Sequence, residues 1–174
     1  MAVIRRAILA DADTIVDLVR ALALYEKEPL SSVKLTADDV RRDGFGSERR
    51  FEVLLAEENG RALGFALFFA NYSTWEGRAG LFIEDLFVRE EARGRGIGRQ
   101  LVTAVAAIAQ ARGCPRIDLN VLDWNPTRDF YHRIGAHHMQ DEGQSWLPYR
   151  MRVSAIAALA ETADPSWFPD LEKL

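Results

Sequence analysis

The sequence is poor in cysteine and has no long apolar run. Its single cysteine, Cys114, excludes an internal disulfide and favours a cytoplasmic location. Charged residues interrupt the N-terminal segment MAVIRRAILADAD too early for a signal peptide. The apolar stretch ALGFALFFA is about half of the roughly 18 residues that a membrane span needs. We therefore expect a cytoplasmic protein that does not associate with a membrane.

The chain also lacks a strong charge excess and a metal-binding pattern. Its formal net charge of −4 gives no basis for nucleic-acid binding and better suits a cationic partner. His132, His137, His138 and Cys114 do not have the spacing of a metal site, so we expect no metal. What is present, 174 residues of which 48% are hydrophobic and 28% charged, is typical of a globular protein with a sizeable core.

Turn-forming residues divide the chain into strands and helices. Pro29 ends a first amphipathic helix, and Thr36 with Asp39 three residues later predicts a capping box at the start of a second. The pair Asn59–Gly60 predicts a β-hairpin between two apolar runs. The predicted order is strand, two helices, three strands, helix, strand, helix, strand.

This order predicts an α/β fold with a mixed sheet, in which the strand LFIEDLFV, a glycine turn, a helix and the strand RIDLNVL form a parallel crossover. The segment SWLPYRMRV is the predicted last strand. No linker or repeat divides the chain. We predict one domain over residues 1–153 and a C-terminal extension over residues 154–174 that includes a short alanine-rich helix.

The segment EEARGRGIGRQL, residues 90–101, has the composition of a phosphate-binding turn. Unpaired N–H groups at a helix start attract an anion, and glycines allow it to approach the backbone closely. No lysine follows Gly98, which excludes a Walker loop, and the spacing G-x-G-x-G does not meet the dinucleotide fingerprint. Taken alone, the segment is equally compatible with a solvated surface turn.

The segment LFVREEARGRGIGRQLV resembles the R-x-x-G-x-G acetyl-CoA signature of the GNAT superfamily of N-acetyltransferases, with Arg93, Gly96 and Gly98 in the signature positions. The segments LALYEKEP, LTADDVRRDGFG, YSTWEGRAGLFIEDLFV and DWNPTRDFYHRIGA are similar to stretches of the diamine (spermidine/spermine) and thialysine acetyltransferases. The resemblance covers about residues 3–152 and implies a mostly antiparallel, twisted sheet with helices on its faces.

The resemblance implies acetyl-CoA as co-substrate. The backbone of β-strand residues is expected to hold the pantetheine arm and the thioester carbonyl, and the amides of residues 94–99 to hold the pyrophosphate. The complete expected set is Leu86, Phe87, Val88, Arg93, Gly94, Arg95, Gly96, Ile97, Gly98, Arg99 and Asn125. The spacing from Asn125 to Tyr131 is one position shorter than is usual in the family.

Acetyl transfer to an amine needs a group that accepts the amine's proton and one that protonates the leaving thiolate. The resemblance implies Glu84 for the first role and Tyr131 for the second. Strand alternation predicts that Glu84 and its neighbour Asp85 point to opposite faces of the sheet. A solvated charge at Glu84 and a structural tyrosine at Tyr131 are the alternatives.

The resemblance also implies an amine pocket that includes Tyr25, Glu26, Glu84 and Glu142. Lys27 in the segment YEKEP is a departure from the diamine enzymes, and a cation there disfavours a long polyamine and favours a basic amino acid or another small amine. Trp75 either lines the pocket mouth or packs on the core.

Three functions remain open at this point: acetylation of a small primary amine by direct attack on the thioester, acetylation of a protein or peptide amine, and acyl-CoA sensing without catalysis. RNA binding through RGRGIGR is disfavoured because the protein is acidic and has no matching aromatic pattern. The resemblance further suggests a homodimer with the late strand and the tail at the interface.

Overall fold

A computed structural model describes residues 1–139 and 150–162, and the contacts of the chain form two units, Met1–Arg128 and Asp129–Leu174. The first unit contains a sheet with the strand order β1-β2-β3-β4-β5. Its strands are β1 Val3–Arg6, β2 Glu52–Glu58, β3 Arg61–Ser73, β4 Arg78–Val88 and β5 Ile117–Leu119. Neighbours from β1 to β4 are antiparallel, and β4 and β5 are parallel. The predicted mixed sheet with one parallel crossover is confirmed.

Local sequence signals account for most element boundaries in this unit. Helix α1 spans Ala12–Tyr25, α2 spans Ala37–Phe45 and α3 spans Ile97–Ala111. The predicted capping box at the start of α2 is present, because the Thr36 hydroxyl accepts from the Asp39 N–H at 3.1 Å and the Asp39 carboxylate accepts from the Thr36 N–H at 3.0 Å. The predicted hairpin is also present, since Asn59 and Gly60 have φ of 53° and 75°, as a two-residue turn requires.

Two helices follow β5 among the described residues. Helix α4 spans Arg128–Arg133, because Asn125 forms a turn with Thr127 and Arg128 before the helix starts. Most of the predicted last strand, residues 145–153, lies outside the described residues. At its end Val153 is not in a strand, since it begins helix α5, Val153–Ala160. The predicted alanine-rich helix is therefore present, and its first residue lies one position before the predicted start of the C-terminal extension.

The sheet separates two apolar clusters. Leu81, Ile83 and Leu101 belong to the cluster that α3 covers, and Leu55 and Phe87 belong to the cluster that α1 and α2 cover. Successive strand residues such as Leu54 and Leu55 enter different clusters, as strand alternation requires. The end of β4 and the start of α3 are thereby fixed by packing on both sides. None of the described helices is long and apolar enough to cross a membrane.

Candidate active site at the end of β4

Strand β4 has a β-bulge at Glu84. Leu67 of β3 lies opposite Asp85 and Phe68 lies opposite Ile83, so Glu84 has no residue opposite it. Counting back from Phe87 places Asp85 on the α1 face, and counting forward from Ile83 places Glu84 on that same face. The predicted opposite orientation of the two acidic side chains is therefore wrong, because the extra residue interrupts the alternation.

Asp85 is the second acidic residue of this pair, and the family resemblance implies no role for it. Its side chain is mostly buried whereas Glu84 is exposed, and burial raises the pKa of Asp85 to about 7, with the charges of Glu84 and then Glu26 adding to the effect. Burial also raises the pKa of Glu26, and the charge of Glu28 adds to it. Among residues 1–139 and 150–162, no arginine or lysine forms an ion pair with Glu26, Glu84 or Asp85. This group of carboxylates suits a cation that comes from outside the chain.

The second half of β4 has an open edge. Strand β5 pairs with β4 only along Leu81, Phe82 and Ile83, so residues 84–88 have no described strand on that side. Leu86, Phe87 and Val88 belong to this stretch. On that side, the backbone of this stretch faces no strand among the described residues, and an extended ligand can pair with it.

The glycine turn follows directly and leaves the start of α3 uncovered. Gly94 and Gly96 have φ of 73° and 79°, which side chains rarely tolerate, and a Cβ at either would meet nothing within 4 Å. Gly98 has ordinary helical backbone, and a Cβ there would meet only the Val88 Cγ2 at 3.8 Å. No side chain caps the first turn of the helix at Gly96 within the described residues. The fold therefore does not require glycine at position 98. The space that a Cβ of residue 98 would occupy is open to a ligand.

The arginines of this turn have different partners. The Arg95 guanidinium pairs with Glu58, with N–O distances of 2.7 and 2.8 Å. Arg93 Nε donates to the Val88 carbonyl at 3.0 Å, and its guanidinium carbon lies 4.3 Å from the centre of the Tyr25 ring. Arg93 therefore joins the end of β4 to the end of α1, and Arg99 remains exposed on the first turn of α3.

Tyr25 and Asn125 contact each other. The Tyr25 hydroxyl donates to Asn125 Oδ1 at 3.2 Å, and the N–H and hydroxyl of Thr127 donate to the same oxygen at 3.0 and 2.9 Å. Asn125 is buried, and the Trp124 ring lies 6.4 Å from the Tyr25 ring. The hydrogen bond between Tyr25 and Asn125, together with the contacts of Tyr25 with Trp124 and Arg93, holds the Tyr25 ring beneath the Arg93 guanidinium.

Lys27 is in an unusual backbone conformation at the end of α1. The Glu28 N–H donates to the Ala23 carbonyl and the Lys27 N–H to the Leu24 carbonyl, which is the Schellman motif. Lys27 occupies the left-handed position of this motif with φ 62°, where glycine is preferred and a side chain costs about 1 kcal/mol. Its Nζ lies 4.7 Å from the centre of the Trp124 ring. In the sequence, the sign of this conformation is that neither glycine nor asparagine, the residues that usually end a helix in this way, follows α1.

Tyr131, Glu142 and Trp75 are the remaining residues that the sequence predicts for the site. Tyr131 belongs to α4 in the second unit, and burial raises its pKa to about 12, so the phenol keeps its proton at neutral pH. Glu142 lies outside the described residues. Trp75 is 89% exposed, so the expectation that it packs on the core is wrong. No three His, Cys, Asp or Glu residues form a potential metal site in the described segments.

Comparison with known proteins identifies a family for this chain. The family model described as "Acetyltransferase (GNAT) family" matches residues 15–136. A thialysine N-epsilon-acetyltransferase of Bos taurus is 36% identical over 166 residues, covering 90% of this chain and 96% of the relative. A human protein, "Spermidine/spermine N(1)-acetyltransferase-like protein 1", is 31% identical, covering 90% of this chain and 23% of its own length. An integron cassette protein from the mobile metagenome of V. cholerae has a similar structure, with a TM-score of 0.74 at 26% identity, covering 92% of this chain and 98% of that one.

Proposed function

Because the chain belongs to the GNAT acetyltransferase family, we propose that it transfers the acetyl group of acetyl-CoA to the primary amine of a small cationic substrate. The observation that carries the proposal is the open helix start at Gly98 beside the open edge of β4. The similarity to a thialysine acetyltransferase and to a spermidine/spermine acetyltransferase-like protein supports a small amine as the acceptor.

The residues at the glycine turn fit the CoA moiety. The N–H groups from Gly94 to Arg99 would bind the pyrophosphate at the positive end of α3, with Arg99 as an exposed cation beside it. Leu86, Phe87 and Val88 would hold the pantetheine arm along the free edge of β4. Acetyl-CoA supplies an acetyl group that is activated as a thioester. Arg93 and Asn125, which contact Tyr25 and its surroundings, would act by holding this region rigid.

The carboxylates of the bulge would accept the proton of the amine. An aliphatic ammonium has a pKa near 10.4, so it reaches the site protonated and must lose a proton before its nitrogen can attack. We assign this step to the Glu84–Asp85 pair, in which Glu84 has the position of the family's acceptor and Asp85 has a pKa of about 7. Glu26 and Tyr25, with Glu142, would hold the amine.

Tyr131 would protonate the leaving thiolate. Its raised pKa of about 12 keeps the phenol protonated at neutral pH, as this role requires. We expect Tyr131→Phe to bind acetyl-CoA with unchanged affinity and to lose at least tenfold in kcat, measured by isothermal titration and by a thiol-release assay. A Tyr131→Phe variant with wild-type kcat would contradict the assignment.

The experiment that tests the proposed function is the release of free CoA from acetyl-CoA in the presence of single amines. The panel contains lysine, thialysine, ornithine, putrescine, spermidine and a lysine-containing peptide. We expect turnover with at least one small amine and none with the peptide at the same concentration. Binding of acetyl-CoA without turnover of any amine would favour a sensor, and preference for the peptide would favour a protein acetyltransferase.

We also propose that the protein is a cytoplasmic homodimer, as the family resemblance implies. Helix α5 supports an interface, because Val153, Ile156 and Leu159 recur on one side of the helix and are 83%, 53% and 61% exposed.

A further inference from the structure

We propose that Lys27 is a specificity-determining residue that binds the carboxylate of an amino-acid substrate whose side-chain amine is acetylated. The proposal rests on the proposed function, since it concerns the second charged group of the same acceptor. It follows from the position of Lys27, its backbone conformation and the charges around it.

The position of Lys27 places opposite charges next to each other at one end of α1. Glu26 contributes to the carboxylate group that includes Asp85, and Lys27 is the next residue in the chain. The Lys27 ammonium does not pair with any of these carboxylates and lies over Trp124, 4.7 Å from the ring centre. An amine with a carboxylate at its other end matches this arrangement, because the acidic group attracts its ammonium and Lys27 attracts its carboxylate.

The backbone of Lys27 is a second and independent observation. Lys27 occupies the left-handed position of the Schellman motif, at φ 62°, which glycine adopts without strain. A lysine in this position is unfavourable for the fold, and strained backbone is concentrated at functional sites. The Lys27 side chain is exposed and its described contact is the Trp124 ring, which does not neutralise the charge. Packing or pairing within the described chain therefore does not explain the residue.

A polyamine lacks the group that Lys27 would bind. Putrescine and cadaverine are ornithine and lysine without the carboxylate, so each pair of molecules differs in that one group. A second ammonium near Lys27 is repelled, whereas a carboxylate there is attracted. Lys27 would thus discriminate between members of each pair by attraction to one and by repulsion of the other.

The test compares kcat/KM for lysine with kcat/KM for cadaverine in four proteins: wild type, Lys27→Met, Lys27→Gly and Lys34→Met. Lys34 is exposed in the segment after α1, and Lys34→Met removes the same charge from the protein without changing the site. We expect the wild type and Lys34→Met to prefer lysine by the same factor. We expect the lysine/cadaverine ratio to fall at least tenfold in both Lys27 variants, mainly through a higher KM for lysine.

The two Lys27 variants separate specificity from folding. Lys27→Gly relieves the strained conformation, so its melting temperature should rise by about 2 °C or more, while Lys27→Met keeps the strain. If the lysine/cadaverine ratio falls equally in both variants, the loss is due to the missing charge of Lys27 and not to a change in backbone strain. An unchanged ratio in both variants, or an equal loss for lysine and cadaverine with a raised KM for acetyl-CoA, would overturn the proposal. Absence of turnover with every amine of the panel in the wild type would instead refute the proposed function, and a wild type that accepts only ornithine or putrescine is tested by the same ratio for that pair.

Discussion

Asp85 illustrates how one inserted residue changes the chemistry of a strand. The bulge at Glu84 brings two neighbouring carboxylates to one face of β4, and burial of the second gives it a pKa of about 7. A carboxyl group with this pKa can accept a proton at neutral pH more readily than an ordinary aspartate.

The pH dependence of kcat/KM for the amine should contain this ionisation. Asp85 must be deprotonated to accept a proton, so kcat/KM is expected to rise through about pH 7, well below the pKa of the free amine. Asp85→Asn should remove this limb and lower kcat/KM by about 10²-fold. Glu84→Gln is the matched variant: it removes a charge that raises the Asp85 pKa, so the limb should move to lower pH. An identical limb in wild type and Asp85→Asn would exclude Asp85.

The ionisation of Asp85 should lower the stability of the folded protein as pH rises, whereas it raises kcat/KM. The folded protein keeps the proton of Asp85 up to about pH 7, whereas the unfolded chain releases it near the ordinary value of 3.8. Stability contributed at this site is therefore lost as pH rises between these two values. Asp85→Asn should raise the melting temperature at pH 8 by about 2 °C or more relative to wild type, with a smaller difference at pH 4. A lower melting temperature at pH 8 in circular-dichroism melts would contradict the burial of an unpaired carboxylate.

At the level of secondary-structure elements, the turn before α3 and its first residues contain two glycines that the fold requires and one that it does not. Gly94 and Gly96 are required by their positive φ, whereas the backbone of Gly98 suits any residue. Gly98→Ala should keep or raise the melting temperature, because alanine is the better helix former by about 0.5–1 kcal/mol. The same change should weaken CoA binding at least tenfold in calorimetry, because the methyl group enters the expected pyrophosphate site. Gly96→Ala, which strains the backbone, is the comparison, and tight CoA binding by a stable Gly98→Ala protein would refute the assignment.

The sequence predicted those elements whose signals are local. The hairpin at Asn59–Gly60, the capping box of Thr36 and Asp39, and the parallel crossover around the glycine turn are all confirmed. The hairpin and the capping box depend on residues a few positions apart, so spacing suffices to find them. The crossover joins β4 to β5 over a longer separation, but it follows from the order strand, glycine turn, helix and strand.

The features that the sequence did not predict depend on distant parts of the chain. The bulge at Glu84 is set by the pairing of β3 with β4, and no glycine marks it in the sequence. Strand alternation therefore indicates Glu84 alone as the proton acceptor and gives no role to Asp85. The Lys27 contact with Trp124 likewise joins the end of α1 to a loop almost a hundred residues later, which spacing along the chain cannot reveal.

At the level of the whole molecule, the homodimer is the proposal that the exposed side of α5 supports. Ile156→Asp places a charge in the middle of the apolar row of Val153, Ile156 and Leu159 and should shift a dimer to a monomer. Light scattering coupled to size-exclusion chromatography measures the mass directly. Glu161→Lys, an exposed charge change one residue beyond α5, is the control and should leave the mass unchanged. A wild-type protein that is monomeric at micromolar concentration would contradict the proposal.

The central claim is that this chain acetylates the side-chain amine of a small molecule, and the most direct measurement is the identification of the product. Purified protein is incubated with acetyl-CoA and lysine, and the amino-acid fraction is analysed by mass spectrometry and NMR. The account predicts lysine that carries one acetyl group on its side-chain nitrogen, formed in equal amount to the free CoA released. Unmodified lysine and intact acetyl-CoA, with thialysine, ornithine and putrescine equally unchanged, would contradict it.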